Sequence, residues 1–120
     1  MKVNMLWYPK CSTCRKAKAF LEEKGVEIRE LRDIKLQNPS GDEIRSWKEK
    51  GNLPLKKFFN TSGMLYKEMK LKEKLPSLSE EEQLQLLASD GMLVKRPVLI
   101  GEDFVLTGFR QAEWEKALRL

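Results

Sequence analysis

The residues in this chain whose types and spacing could support chemistry are Cys11 and Cys14, with only Ser12 and Thr13 between them. They are its two cysteines. The thiolate is the nucleophilic form, and a free cysteine has a pKa of about 8.5. A reactive cysteine therefore needs surroundings that favour its anion. Residues three apart share one face of a helix, so Cys14 is expected to reach Cys11 and close a disulfide, with Cys11 attacking and Cys14 resolving. The alternative is that both are small buried hydrophobes, as free cysteines often are. Zinc is a poor fit. A structural zinc site takes four protein ligands and a catalytic one about three, and the chain has no histidine and no third cysteine. No metal and no organic cofactor are expected.

The elements that must hold this pair can be read outward from it. Val3 to Tyr8 is an almost unbroken apolar run, the pattern of a buried central strand. Pro9 ends it, and a helix starts at Cys11 or Ser12 with Ala17, Phe20 and Leu21 on its inner face. Cys11 then lies where unpaired backbone N–H groups and the positive end of the helix dipole converge. Lys10 and Arg15 add positive charge beside it. Gly25 closes the helix, and Val26-Glu-Ile28 alternates as a second strand, followed by Leu31 and Ile34. A C-x-x-C after a buried strand in a strand–helix–strand unit is a redox context.

The middle of the chain changes character. Ser40-Gly-Asp-Glu43 and Ser79-Glu-Glu-Glu82 are capping boxes. They predict a helix from about residue 41 to Lys50, with Ile44 and Trp47 inward and Gly51 as its stop. They predict another carrying Leu84, Leu87 and Ala88, ended by Asp90-Gly91. Between them Pro54 to Leu75 reads as short helices: Leu55 to Phe59, a break at Ser62-Gly63, and one through Tyr66 and Met69. The run from Lys56 to Gly63 reads as a helix terminus, with the lining of a cleft as the alternative, because small polar residues follow two aromatics. After residue 90, Val98 to Ile100 and Phe104 to Leu106 read as a hairpin, and Gln111 to Leu118 as a last helix burying Trp114 and Leu118. The expected order is βαβ, helices, ββα: an α/β chain of one domain over residues 1–120 with a helical insert at about 40–90. Trp7, Trp47, Phe58, Phe59 and Trp114 are expected in the core.

Composition bounds the function. Of 120 residues, 41% are hydrophobic and 34% charged, a balance that folds rather than staying disordered. No apolar run reaches the length of roughly 18 residues that spans a bilayer. Met1 to Tyr8 meets Pro9 at once and lacks the apolar core of a signal peptide, so a cytoplasmic location is expected. A C-x-x-C in a reducing cytosol points to redox chemistry rather than a staple. Net charge is +5. The basic residues look interleaved with acids, as in Glu22-Glu23-Lys24 and Lys72-Glu73-Lys74, so neither a nucleic-acid-binding face nor a membrane contact is expected. Arg96, just before Pro97, is either a solvated charge or a guanidinium fork for an anion.

With these motifs in place, the sequence resembles the ArsC/Spx family of arsenate reductases, related redox proteins of unassigned substrate and RNA-polymerase-binding stress regulators. The resemblance covers nearly the whole chain. It rests on Tyr8-Pro-Lys-Cys11-Ser-Thr-Cys14-Arg-Lys-Ala, Leu55-Lys-Lys-Phe-Phe-Asn-Thr-Ser-Gly63, Leu87-Ala-Ser-Asp-Gly-Met-Leu-Val-Lys-Arg-Pro97 and Val105-Leu-Thr-Gly-Phe109. Together these look like an Spx/MgsR-like branch of Gram-positive proteins. The resemblance implies a thioredoxin-like fold, a cis proline at Pro97 against the C-x-x-C, and a nucleophile at Cys11. Glutathione- or glutaredoxin-linked arsenate reductases place a histidine four residues before the cysteine, where this chain has Trp7. They carry two further arginines where it has Asn60 and Gly108. The implied function is thiol–disulfide exchange by Cys11 and Cys14, with Lys10, Arg15, Asn60, Arg96 and Pro97 at the substrate. Its reductant would be a thiol protein or a low-molecular-weight thiol, and the chain a monomer. The alternative the resemblance carries is a redox-sensitive transcription regulator docking on the RNA polymerase α subunit. Gly51 lies near the glycine those regulators use, in a shifted neighbourhood, and no role is assigned to it.

Overall fold

A computed structural model describes residues 1–120. A four-stranded sheet of order β2-β1-β3-β4 organises the chain. The strands are β1 (Lys2–Trp7), β2 (Glu27–Asp33), β3 (Val98–Ile100) and β4 (Val105–Thr107). β1 runs parallel to β2 and antiparallel to β3, which in turn is antiparallel to β4. The six helices are α1 (Ser12–Glu23), α2 (Gly41–Gly51), α3 (Met64–Glu68), α4 (Leu71–Lys74), α5 (Glu80–Ser89) and α6 (Gln111–Leu118). This is the α/β, thioredoxin-like βαβ…ββα order expected from the sequence, with a helical block between β2 and β3.

The period of two along the strands divides the core. Val3 and Met5 of β1 and Leu99 of β3 face α1 and α6, where they pack with Ala17, Phe20, Leu21, Trp114 and Leu118. Leu6, Val98 and Ile100 face the other way, into the helical block with Ile34, Ile44, Phe58, Leu84 and Leu87. Successive strand side chains point to opposite faces, so a sheet covered on both sides needs continuous apolar strands in its middle. Both serine capping boxes form: Ser40 with Glu43 at α2, and Ser79 with Glu82 at α5.

Several boundaries differ from expectation, each for a local reason. β2 extends to Asp33 rather than ending near Ile28. Its remaining residues, Arg29-Glu-Leu-Arg-Asp33, are mostly charged because β2 is the sheet's edge. Charged edges discourage pairing with another chain, and they hide the strand's alternation. At the end of α2, Asn52 rather than Gly51 takes the left-handed turn, at φ 49°. Gly51 is the helix's last residue. Leu55–Phe58 is a 3₁₀ turn, and Phe59 pairs with Val94 in an isolated bridge where no strand was expected. Trp7 and Trp47 are only half-buried, unlike Phe58, Phe59 and Trp114.

Two contacts fix the layout, one between the helical block and the frame and one within the frame. Gly91 packs so tightly on β2's exit that an added Cβ would lie 2.1 Å from the Ile34 carbonyl oxygen, and only glycine fits there. The Trp114 indole, buried among Phe20 and Phe109, donates its Nε1–H to the Gly108 carbonyl at 3.1 Å. A buried indole is costly without such a partner, so this bond sets where the β4–α6 turn lies.

Candidate active site

Cys11 is placed by the turn that joins β1 to α1. Its backbone N–H donates to the Tyr8 carbonyl at 2.9 Å, and its own carbonyl accepts the first helical bond, from Arg15 N–H at 3.1 Å. It is therefore the N-cap of α1, with extended backbone at φ −85° and ψ 119°. As a thiol it makes no regular capping bond; ionised, it faces the N–H groups of Cys14 and Thr13. The helix start is one of the few places where several backbone donors lack helical partners.

The two sulfurs have opposite environments. Cys11 is half-buried, and Cys14 is fully buried one turn below. Partial burial pulls the Cys11 pKa up, but the Cys14 backbone N–H, the Cys14 thiol, the Thr13 N–H and the positive charge of Arg96 outweigh it, so the net shift is downward. For Cys14, burial is the largest influence, and the nearby Cys11 sulfur adds to it. The Tyr8 N–H, which donates to Cys14 Sγ at 3.5 Å, opposes both too weakly, and its pKa is pushed up to about 12. Cys11 is therefore the more readily ionised sulfur of the pair, and Cys14 stays a thiol that can donate to it. The thiolate is the nucleophile, and reactivity follows its population.

Arg96 is held in place above this pair. Its Nη1 donates to the carbonyls of Met92 and Val94, each at 3.3 Å, and its guanidinium lies 5.4 Å from the Tyr8 ring centroid. Such stacking suits a planar cation. The Arg96–Pro97 peptide is cis, and the Pro97 carbonyl accepts the Gly108 N–H at 2.8 Å. Asn60 is tied to the same loop through its backbone N–H, 2.7 Å from the Leu93 carbonyl, just as Lys95 N–H bonds the Phe58 carbonyl at 2.7 Å.

Cys11, Asn60 and Arg96 line one cavity of about 900 Å³. Pro97 is buried and does not line it. Lys10 and Arg15 are exposed and do not line it; the Arg15 guanidinium instead donates to the Pro9 carbonyl at 2.8 Å. The positive charge that acts on Cys11 comes from Arg96, which is distant in sequence and close in the fold. The segment from Lys56 to Gly63 both ends a 3₁₀ turn and forms a wall of the cavity. Lys95 and the stretch from Leu106 to Arg110 form the rest, with Glu113. Sequence reasoning did not single out Lys95 or Arg110, and it reached Lys56 and Lys57 only as the start of the run read as a helix terminus with a cleft lining as the alternative. The one signal for this wall was the small polar run after Phe58-Phe59.

The chain is similar to characterised and uncharacterised bacterial proteins alike. It is 55% identical over 116 residues to the uncharacterized protein YusI of Bacillus subtilis, spanning 97% of this chain and 98% of that one. A crystal structure from Bacteroides fragilis, described as ArsC family related, superposes with a TM-score of 0.91 at 53% identity, covering 97% of each chain. The global transcriptional regulator Spx of Listeria innocua is 28% identical over 116 residues, which cover 97% of this chain and 86% of the regulator. The sequence model of the ArsC family matches residues 6–117, so the chain belongs to the ArsC family.

Proposed function

We propose that this chain is a thiol–disulfide oxidoreductase in which Cys11 attacks and Cys14 resolves. The observation that carries the reading is the division between an acidified thiol open to a cavity and a buried, high-pKa thiol one turn beneath it. The Cys11 thiolate attacks one sulfur of a disulfide; that S–S bond breaks and the other half leaves as a thiolate. Cys11 is then uncharged, which removes the neighbouring negative sulfur that helps hold Cys14 protonated. The leaving thiolate takes the Cys14 proton, and the Cys14 sulfur attacks Cys11, expelling the second half. The dithiol loses two electrons and the disulfide gains them. A protein or small thiol then restores the dithiol, a cycle suited to the reducing cytosol.

The thiol titration tests this directly. Alkylation of reduced protein by iodoacetamide is expected to follow a Cys11 midpoint below the ordinary value of about 8.5. The sign is fixed by the lowered pKa: reactivity holds as pH falls past 8.5 and is lost only below the Cys11 midpoint. Cys14 should stay unmodified throughout. A Cys11 midpoint at or above 8.5 would remove the basis for the reading.

A second reading is favoured by the likeness to Spx over nearly the whole chain. In it the same disulfide poises a regulator that binds the RNA polymerase α subunit. Retention of purified α subunit on the immobilised reduced chain, lost on oxidation, would support it; absence of retention in both states would exclude it.

A further inference from the structure

The excess positive charge of this chain is not spread over its surface. Lys56, Lys57, Lys95, Arg96 and Arg110 all line the Cys11 cavity, with Glu113 as the one acid among them. That accounts for four of the five net positive charges of the whole chain. None of these five cations belongs to an ion pair, although Lys2, Lys18, Arg32, Arg45 and Lys48 all do elsewhere. Like charges crowded round one cavity repel each other and favour the entry of an anion. They come from three separate segments, which is why the sequence looks evenly mixed.

Resting on the dithiol reading above, we propose that the disulfide attacked by Cys11 belongs to a small organic polyanion, a thiol compound carrying two or more carboxylates. The size and lining of the cavity support an organic ligand rather than a bare oxyanion. Its volume of about 900 Å³ lies in the range of small-molecule sites and far exceeds a tetrahedral anion. Leu53, Leu106 and Phe109, all partly exposed, interrupt the cations with apolar surface for a carbon skeleton. Three lysines are flexible point charges that can follow carboxylates at several places, whereas a single buried anion favours rigid forks. The disulfide sulfur must reach Cys11 while the carboxylates meet Lys56, Lys57, Lys95 and Arg110. The electron balance is that of the exchange already described: two thiols form from one disulfide as Cys11 and Cys14 join.

The test compares three simple disulfides on the reduced full-length chain: 3,3′-dithiodipropionate, bis(2-hydroxyethyl) disulfide and cystamine. They carry two negative, no and two positive charges, and each rate is divided by that of the same disulfide with a free reference thiol. At low salt the anionic disulfide is expected to exceed the neutral one by about 10-fold or more, with cystamine slowest. The preference should shrink towards parity at about 0.5 M salt. The quadruple variant Lys56→Gln/Lys57→Gln/Lys95→Gln/Arg110→Gln, its fold checked by circular dichroism, should lose it. The remote variant Lys24→Gln/Lys67→Gln/Lys72→Gln/Lys74→Gln removes the same charge outside the cavity and should keep it. Equal normalised rates for all three disulfides would overturn the proposal and leave the dithiol reading standing. So would equal loss of preference in the remote variant. Failure of Cys11 to react with any of them would overturn the dithiol reading itself.

Discussion

Replacing Cys14 by serine is expected to turn a cycling dithiol into a trap. In the wild-type chain the resolving sulfur lies one helical turn from Cys11 and needs no diffusion to attack the mixed disulfide. Well-oriented intramolecular groups act at effective concentrations of about 10⁵ M and above, far beyond any external thiol. With serine at position 14, release depends on an outside thiol reaching a half-buried sulfur. Turnover of a disulfide substrate should fall by at least about 10³-fold, and intact-mass measurement should show one substrate half attached at Cys11. The serine hydroxyl can still donate to the Cys11 thiolate, and the Thr13 and Cys14 N–H groups and Arg96 are unchanged. The first attack should therefore stay close to the wild-type rate, and the alkylation midpoint should stay below the ordinary cysteine value. Wild-type turnover in Cys14→Ser would mean that Cys14 takes no part in the chemistry. A lost first attack would mean that it acts only by positioning Cys11.

The second large effect concerns arsenate. Family membership makes arsenate reduction the obvious activity to test, and it is expected to be weak or absent. A desolvated multivalent oxyanion must be paired on several sides. The resemblance places the two further arginines of related reductases at Asn60 and Gly108 of this chain. Gly108 sits at φ +77°, in the left-handed region that glycine favours, and offers no side chain. Its backbone N–H already bonds the Pro97 carbonyl. Asn60 carries no charge, and its amide oxygen accepts the Ser62 hydroxyl at 3.4 Å. Only Arg96 remains of the three. Losing one oxyanion donor costs roughly 10²–10³ in rate, so two losses correspond to as much as about 10⁶. The cavity lysines recover part of this, but they are wet point charges in a space much wider than the anion. A deficit of about three to six powers of ten is expected, measured as steady-state arsenate reduction with thioredoxin and glutaredoxin systems both supplied. A kcat/KM of about 10⁴ M⁻¹s⁻¹ or more, the ordinary enzyme range, would falsify this expectation.

The parts of the molecule legible in its sequence are those decided locally. The C-x-x-C, the apolar β1, the two serine capping boxes and the α6 face with Trp114 and Leu118 each carry their signal within a dozen residues. The second half of β2 does not. Arg29 to Asp33 serve an exposed edge, and their charges mask the strand period. Asn52 displaces Gly51 as the left-handed residue after α2 because the helix runs one residue further. The cavity was the least legible feature. Its cations lie at 56–57, 95–96 and 110, each among ordinary surface residues, and only the sheet topology brings them round Cys11. The cation that adds to the Cys11 shift, after the larger effect of the Cys14 and Thr13 groups, was hidden for the same reason: Lys10 and Arg15 are neighbours in sequence, yet Arg96 is the one that acts.

The account stands most directly on one bond. Mild oxidation of the reduced chain, followed by trypsin cleavage after Lys10 and Arg15, isolates residues 11–15 as one short peptide holding both cysteines. The predicted result is a single product, that peptide lighter by two hydrogen atoms and restored by dithiothreitol, with no disulfide between chains. Disulfide-linked dimers as the main product, or a peptide that alkylates at both sulfurs after oxidation, would contradict it.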